Sequence, residues 1–372
     1  MAPTIRLGSI FGIEIGANWS LLFIFALIAW TLAVGTLPQD VPNQPAAAYW
    51  IAGAAGAMVF YGCLLAHELS HALVARRSGV KVAGITLWLF GGVSRLDGEP
   101  KSAGAEALIA GVGPITSLVI AGIAYGLSLA TTTAPLASDL FTWLAYINVL
   151  LALFNLVPAF PLDGGRLLSS FFWWRQGTRQ RGVHSAVRIG RFFAYLMIAI
   201  GVLALFTGSV VNGVWLAFVG WFLLSAGSSE EAGSTIKSAL KSVPVSAAMT
   251  SPVVTIPDWL TVEQFLESVA PGHHFTTYPI HDPSGKLTGV VRLTDLVRVG
   301  GAQRDRRLSG VARPIGDVPT TRPEEMLADL IERVGAALEN RVLVFDQGQL
   351  VGILSPVDIA RLLTMRQTLK GA

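Results

Sequence analysis

Cysteine is almost missing from this chain: Cys63 is the only one in 372 residues. No intrachain disulfide can form, and no metal site can be built on several thiolates. Charge is scarce as well. Charged residues make up 14% of the sequence and hydrophobic residues 52%, against about 25% charged in an ordinary soluble domain. The two signs nearly cancel, with 27 Lys and Arg against 24 Asp and Glu. A formal charge of +3 gives a nucleic-acid partner no support, and no direct nucleic-acid contact is expected. The first apolar run, Leu21 to Val34, has no small-residue cleavage site after it, so it reads as a retained anchor and not a signal peptide.

The shortage of charge is uneven. Up to about Ser225 long apolar runs alternate with short polar joints, and after Ser229 the chain reads like a soluble domain. A bilayer-spanning helix needs about 20 mostly apolar residues. Six segments fit: Trp19–Leu37, Trp50–Arg76, Ala105–Ala130, Leu140–Val157, Phe192–Thr207 and Gly213–Ala226. The joints at 38–49, 131–139 and 208–212 contain no Lys or Arg, while the opposite ends carry Arg6, Arg76, Arg77, Lys81, Arg95, Lys101 and the arginines from Arg166 to Arg191. By the positive-inside rule both termini face the cytoplasm of a multi-pass protein of the cell membrane. The expected fold is an α-helical polytopic membrane protein of about six transmembrane helices followed by an α/β module.

That module contains a repeat. Residues 278–299 (YPIHDPSGKLTGVVRLTDLVRV) and 342–363 (VLVFDQGQLVGILSPVDIARLL) each give a strand, a turn at Pro283–Gly285 or Gln347–Gly348, a second strand and a short helix. An amphipathic helix precedes each, at Val262–Val269 and Glu324–Leu338. A repeat of this length implies two units packed on each other. The pattern resembles a tandem pair of CBS (Bateman-type) domains, at 243–300 and 312–365, after a linker at 229–242. The resemblance implies an adenine nucleotide held between the copies and a surface for homodimerisation. Ser355 and Asp358 have the spacing of the ribose- and phosphate-binding pair. The first copy keeps Asp295 but has Arg292 in place of the hydroxyl residue, so one competent site or two unequal ones are expected, with Arg292 a candidate for a phosphate contact. Asp295 and Asp358 can equally be helix caps.

His67-Glu68-Leu69-Ser70-His71 matches H-E-x-x-H. Residues four apart share a helix face, so both imidazoles can reach one ion, with Glu68 beside them to act on water. The motif lies inside an apolar segment, where ionisable groups are costly and usually functional. The competing reading is a pair of structural histidines in a helical bundle. Catalytic zinc usually takes three protein ligands, and the stretch from Asn155 to Arg166 (NLVPAFPLDGGR) offers a third. Two prolines break the helix there, and Asp163 precedes two glycines that allow close backbone approach. By spacing alone Asp163 is either a ligand or a helix cap.

HELSH together with NLVPAFPLDGGR resembles the site-2 protease family of intramembrane metalloproteases, over about residues 5–228. The resemblance implies that His67, His71 and Asp163 bind one Zn2+, that Glu68 is the catalytic base, and that Asn155 holds the carbonyl or its oxyanion. Gly113-Pro114 also fits a family pattern, although Ser117 stands where Asn is frequent. The implied substrate is a transmembrane protein of the lipid bilayer, of the anti-sigma-factor or membrane-tethered-regulator class, cut in regulated intramembrane proteolysis. The C-terminal pair resembles the prokaryotic branch that carries such modules. Residues 82–96 read as two strands around Gly91-Gly92, either dipping into the membrane beside the site or forming a plain cytoplasmic hairpin. The rival classes are a CBS-gated transporter or channel and a scaffold without catalysis, neither of which needs His67, Glu68, His71 and Asp163 together.

Overall fold

The structure is a computed structural model that describes residues 4–88, 91–273, 275–300, 303–335 and 341–371. It divides into two compact units, Met1–Thr235 and Ile236–Ala372.

The first unit opens with a hairpin that the apolar runs do not announce. Strand β1 (Ile5–Ile10) pairs antiparallel with β2 (Ile13–Ala17), turning at Phe11 and Gly12, both at positive φ. The signal was present in the alternating Ile13-Glu14-Ile15 after a Phe-Gly turn. Helix α1 (Ser20–Trp30) continues through a wide π turn (Thr31–Thr36) into α2 (Leu37–Asp40). Then come α3 (Ala46–Arg77), β3 (Lys81–Trp88), β4 (Gly91–Asp97), α4 (Ala103–Ala130), α5 (Pro135–Asn155), α6 (Asp163–Gln176), α7 (Arg179–Phe206) and α8 (Val210–Leu240).

Six helical spans among the described residues are long and apolar enough to cross a membrane, as the sequence predicts. The last two are longer than their apolar runs. Spans α7 and α8 cover 28 and 31 residues, because the polar stretches 179–191 and 227–240 continue the helices. Residues 229–240, expected to be linker, are helical. The helices meet at small residues, as membrane bundles do when backbone contact replaces the hydrophobic effect. A methyl on Gly53 would fall 2.6 Å from Ala29 O, and one on Gly220 2.6 Å from Ala194 O.

The strands form one sheet in the order β1-β2-β3-β4, with β2 and β3 parallel (Ile15↔Ile85) and β3 and β4 antiparallel (Leu87↔Gly92). Its buried face, Ile13, Ile85 and Leu87, packs on Tyr61, Leu64 and Ala72 of α3. Arg76 Nη1 donates to Phe11 O at 2.6 Å and ties the first turn to the end of α3. Gly91 and Gly92 are the first residues of β4; residues 89–90, between β3 and β4 in sequence, lie outside the described residues.

The second unit contains two similar copies. In the first, β5 (Ile256–Pro257) lies parallel to β6 (Thr277–His281); between them α9 (Val262–Gln264) runs into a π turn (Phe265–Val269), and β7 (Leu287–Arg292) and α10 (Leu293–Val297) follow. Then β8 (Arg313–Pro314) pairs back on β7. In the second, β9 (Thr320–Thr321) lies parallel to β10 (Val342–Asp346); α11 (Leu327–Val334) comes between them, and β11 (Gln349–Leu354) and α12 (Pro356–Gly371) follow. Helix α11 starts at Leu327, later than the expected Glu324, and residues 336–338 of that expected helix lie outside the described residues. The tight turn from β10 to β11 has Gln347 and Gly348 both at positive φ. Val243 and Val245, at the start of the expected first copy and ahead of its first strand, lie in the core of the second, with Leu327, Leu330, Val342 and Leu354.

Candidate metal centre

The long helix α3 places His67 and His71 one turn apart on its buried face. Asp163 comes from the first turn of α6, after the chain breaks out of α5. The glycines behind it explain how it reaches the site. A methyl on Gly164 would fall 2.2 Å from Leu156 O, and one on Gly165 2.6 Å from the Ala159 carbonyl carbon and the Phe160 nitrogen. Only glycine lets α6 begin this close beneath the 156–160 loop.

The three side chains converge. His67 Nε2 and His71 Nε2 are 3.1 Å apart, and Asp163 Oδ2 lies 3.3 and 3.2 Å from them. Zinc donors at bond lengths of 2.0–2.1 Å in tetrahedral array stand about 3.3 Å from one another, so this triangle has the edges of a zinc site. The protonation pattern agrees. His71 Nδ1 lies 2.5 Å from the carbonyl of Ile109, which can only accept, so Nδ1 carries the proton. His67 Nδ1 lies 2.9 Å from Ser117 Oγ, which can accept in the same way. Both Nε2 atoms then face each other and a carboxylate, a donor set that could hold a metal ion. Asp163 Oδ2 is buried, and its polar neighbours are the two imidazole nitrogens.

Helix α4 closes the site. A methyl on Gly113 would fall 2.1 Å from His71 Nε2 and 2.6 Å from His67 Nε2, so the missing side chain makes the space around the donors. Pro114 follows inside the helix, and Ser117 supplies a hydroxyl to His67 where the family often has Asn. Ile109 acts through its backbone and left no mark in the sequence.

Glu68 is half-buried beside the triangle. Strand β4 lies against it: a methyl on Gly92 would fall 2.2 Å from Glu68 Cγ and 3.0 Å from Oε1. Of the two readings open for this hairpin, beside the site or a plain cytoplasmic hairpin, the contact of Gly92 with Glu68 favours the first. Asn155 ends α5 half-buried, and its side-chain nitrogen donates to Leu151 O at 2.9 Å.

In the second unit, Ser355 and Asp358 come together at the start of α12. The Asp358 carboxylate accepts from Ser355 N at 2.9 Å and Thr250 Oγ1 at 3.0 Å, and Arg361 Nη2 lies 3.2 Å away. They border a cavity of about 330 Å³ that also meets Val253, Phe275, Thr277 and Arg341. In the first copy Arg292 Nε pairs with Asp295 Oδ2 at 2.7 Å, both side chains nearly half exposed.

Comparison with known proteins agrees with the geometry. A model of Peptidase family M50 matches residues 55–139 and 130–198, and a CBS domain model matches 245–301. Rip3 of Mycobacterium tuberculosis, assigned as a zinc metalloprotease, is 42% identical over 368 residues, covering 98% of this chain and 93% of that protein. A protein assigned as a zinc metalloprotease in Synechocystis sp. is 30% identical over 369 residues, covering 98% of this chain and 96% of its own. The solved site-2 protease from Methanocaldococcus jannaschii is 27% identical, covers 61% of this chain and 94% of its own, and gives a TM-score of 0.41.

Gly113→Ala is expected to lose zinc, because its methyl would occupy the space of the donor atoms. Zinc affinity, measured on purified protein by chelator competition, should fall by about 10- to 100-fold, the usual range for damage around ligands, with zinc per chain falling accordingly. Full zinc in this variant would show that α4 does not shape the site.

Proposed function

We propose, for a chain that belongs to Peptidase family M50, the site-2 proteases, and is on that ground an intramembrane protease, that His67, His71 and Asp163 hold one zinc ion and Glu68 is the catalytic base. The observation that carries this reading is the triangle of Nε2, Nε2 and Oδ2 atoms at 3.1–3.3 Å, the edge lengths of a three-ligand zinc site.

A bound zinc supplies Lewis acidity, making a water deprotonate near neutral pH and polarising a peptide carbonyl. Glu68 takes the proton from the attacking water and delivers it to the leaving amide nitrogen. Ile109 O and Ser117 Oγ hold the imidazoles in the tautomer that directs Nε2 to the metal. Asn155 holds the scissile carbonyl or its oxyanion; its amide has a second N–H beyond the one given to Leu151. Strand β4 is an edge of its sheet and lies against Glu68, so an extended substrate segment adds to that edge and meets the base. A helical substrate must unwind first, which Gly, Pro or Asn in its sequence makes cheaper.

The substrate class is a membrane-tethered transcription regulator or anti-sigma factor. The charge segregation supports a place in the plasma membrane with both termini cytoplasmic. The 330 Å³ cavity is within the range of small-molecule sites, and it is the competent adenine-nucleotide site, with Ser355 and Asp358 on the ribose and Arg341 or Arg361 on the phosphate. The Arg292–Asp295 pair makes the first-copy site the weaker one. Pairing of CBS modules from two chains gives a homodimer.

Three measurements test this. Glu68→Gln should keep its zinc and lose about 10²–10⁴-fold in cleavage of a transmembrane substrate; near-normal turnover would refute the base. In a Cys63→Ala background, cysteines at Asn43 and Ser138 should react with an impermeant thiol reagent applied outside the cell, and labelling only from within would invert the topology. Full-length protein in detergent should bind AMP, ADP or ATP by calorimetry, and Asp358→Ala should weaken that binding; binding unchanged by the substitution would put the nucleotide elsewhere.

A further inference from the structure

One partly buried ion-pair cluster in the first unit has no part in the chemistry above. Arg179 stands at the first position of α7. Its guanidinium reaches Glu106 of α4 at 3.3 Å, Glu99 of the β4–α4 connection at 3.0 Å, and Glu230 of α8 at 3.8 Å. Glu106 is only 3% exposed. Its Oε2 and the Arg179 Nε are buried with no hydrogen-bond partner. A buried charge of this kind is strongly destabilised when its partner is removed, and such pairs are retained where they fix one arrangement of the elements around them.

The position of Glu106 on α4 says which arrangement. The buried stripe of α4 runs Glu106, Ile109, Ala110, Gly113, Ser117, spacings that keep these residues on one helix face. Three members of that stripe shape the site: Ile109 O accepts a hydrogen bond from His71 Nδ1, Gly113 leaves room for the donors, and Ser117 faces His67. The imidazole contacts are 2.5 and 2.9 Å long, so a slide of α4 along its axis by one residue rise of about 1.5 Å would move both acceptors off the ring nitrogens they now face. Glu99 lies two residues beyond the end of β4, the strand that packs Gly92 on Glu68. Arg179 itself is fixed against α6, the helix that begins with Asp163. Three residues on, a methyl at Gly182 would fall 2.5 Å from Ser169 O of α6. One guanidinium thus ties together the helix that orients both histidines, the strand over the base, and the helix pair that carries the carboxylate ligand.

We propose that Arg179 is a positioning residue for the zinc centre, holding α4 and β4 in register with α6 through Glu106 and Glu99 without touching metal or substrate. The inference rests on the metalloprotease reading of the site. Arg is suited to the task because its planar fork serves two carboxylates at once, which a lysine ammonium does less well.

The test uses the full chain purified in detergent. Zinc affinity is measured by chelator competition, and ligand geometry by the visible absorption of the cobalt-substituted protein. Arg179→Gln is expected to lower zinc affinity by roughly 10- to 100-fold, the usual effect of damage behind the ligands, and to change the cobalt spectrum. Arg179→Lys should fall between it and the native protein. Glu99→Gln, on a side chain 38% exposed, tests the same tie if Arg179→Gln does not fold, and should lower affinity in the same direction. Native affinity and an unchanged cobalt spectrum in Arg179→Gln, or in Glu99→Gln where the arginine variant does not fold, would overturn the proposal. His67→Ala is the reference that separates the two readings. Native protein without stoichiometric zinc, or zinc retained by His67→Ala, would overturn the metal assignment and this inference with it. Zinc that His67→Ala loses but Arg179→Gln holds at native affinity would overturn this inference alone.

Discussion

Two imidazole nitrogens and one carboxylate oxygen face each other at 3.1–3.3 Å within a bundle of apolar helices. Polar groups placed there need partners, because little water is present to solvate them. The surrounding chain can be understood as what brings these three atoms together and holds them. Helix α3 gives the histidines their spacing. The broken backbone after α5 and the glycines at 164 and 165 let Asp163 approach from another helix. Helix α4 supplies acceptors to both rings and, at Gly113, the space between them.

The same economy appears at the base. Glu68 follows His67 directly, so the helix that carries two of the proposed zinc ligands also carries the proposed base. What lies over it is decided by the sheet, in which Gly92 permits strand and carboxylate to touch. An edge strand is normally a liability because its unpaired backbone groups invite another chain. In the proposed mechanism that liability would become a way to hold a substrate extended, the form in which its peptide bond can be attacked.

The second unit solves a different problem with common parts. Each copy alone is small and would bury little apolar surface. The chain meets this by crossing: Val243 and Val245, ahead of the first strand of the first copy, complete the core of the second, and Val290, Val318 and Leu343 join the two sheets. Asp358 shows how one residue can satisfy two readings. It caps α12 through Ser355 and accepts from Thr250, and it also borders the cavity that a nucleotide would need.

Local pattern sufficed wherever the physics is local. A run of apolar residues long enough to span a bilayer, two histidines four apart on a helix, and a strand-turn-strand-helix repeat each follow from periodicity. The six spans, the HELSH helix and the two copies were legible for that reason. Resemblance, not spacing, favoured Asp163 as a ligand over a cap, since a carboxylate before two glycines serves either role equally well. Only the fold brought residues distant in sequence together and so decided the rest. It placed Ile109 O on His71 across 38 residues and Ser117 on His67 across 50, and put Gly92 over Glu68. It gathered Arg179 with Glu99 and Glu106, and it set β1 and β2 beside β3. A backbone carbonyl has no letter in the sequence, a glycine's letter does not say what approaches it, and an ion pair across 73 residues has no period to reveal it. These contacts exist because packing the helices leaves one place for each group, and packing is a property of the whole unit.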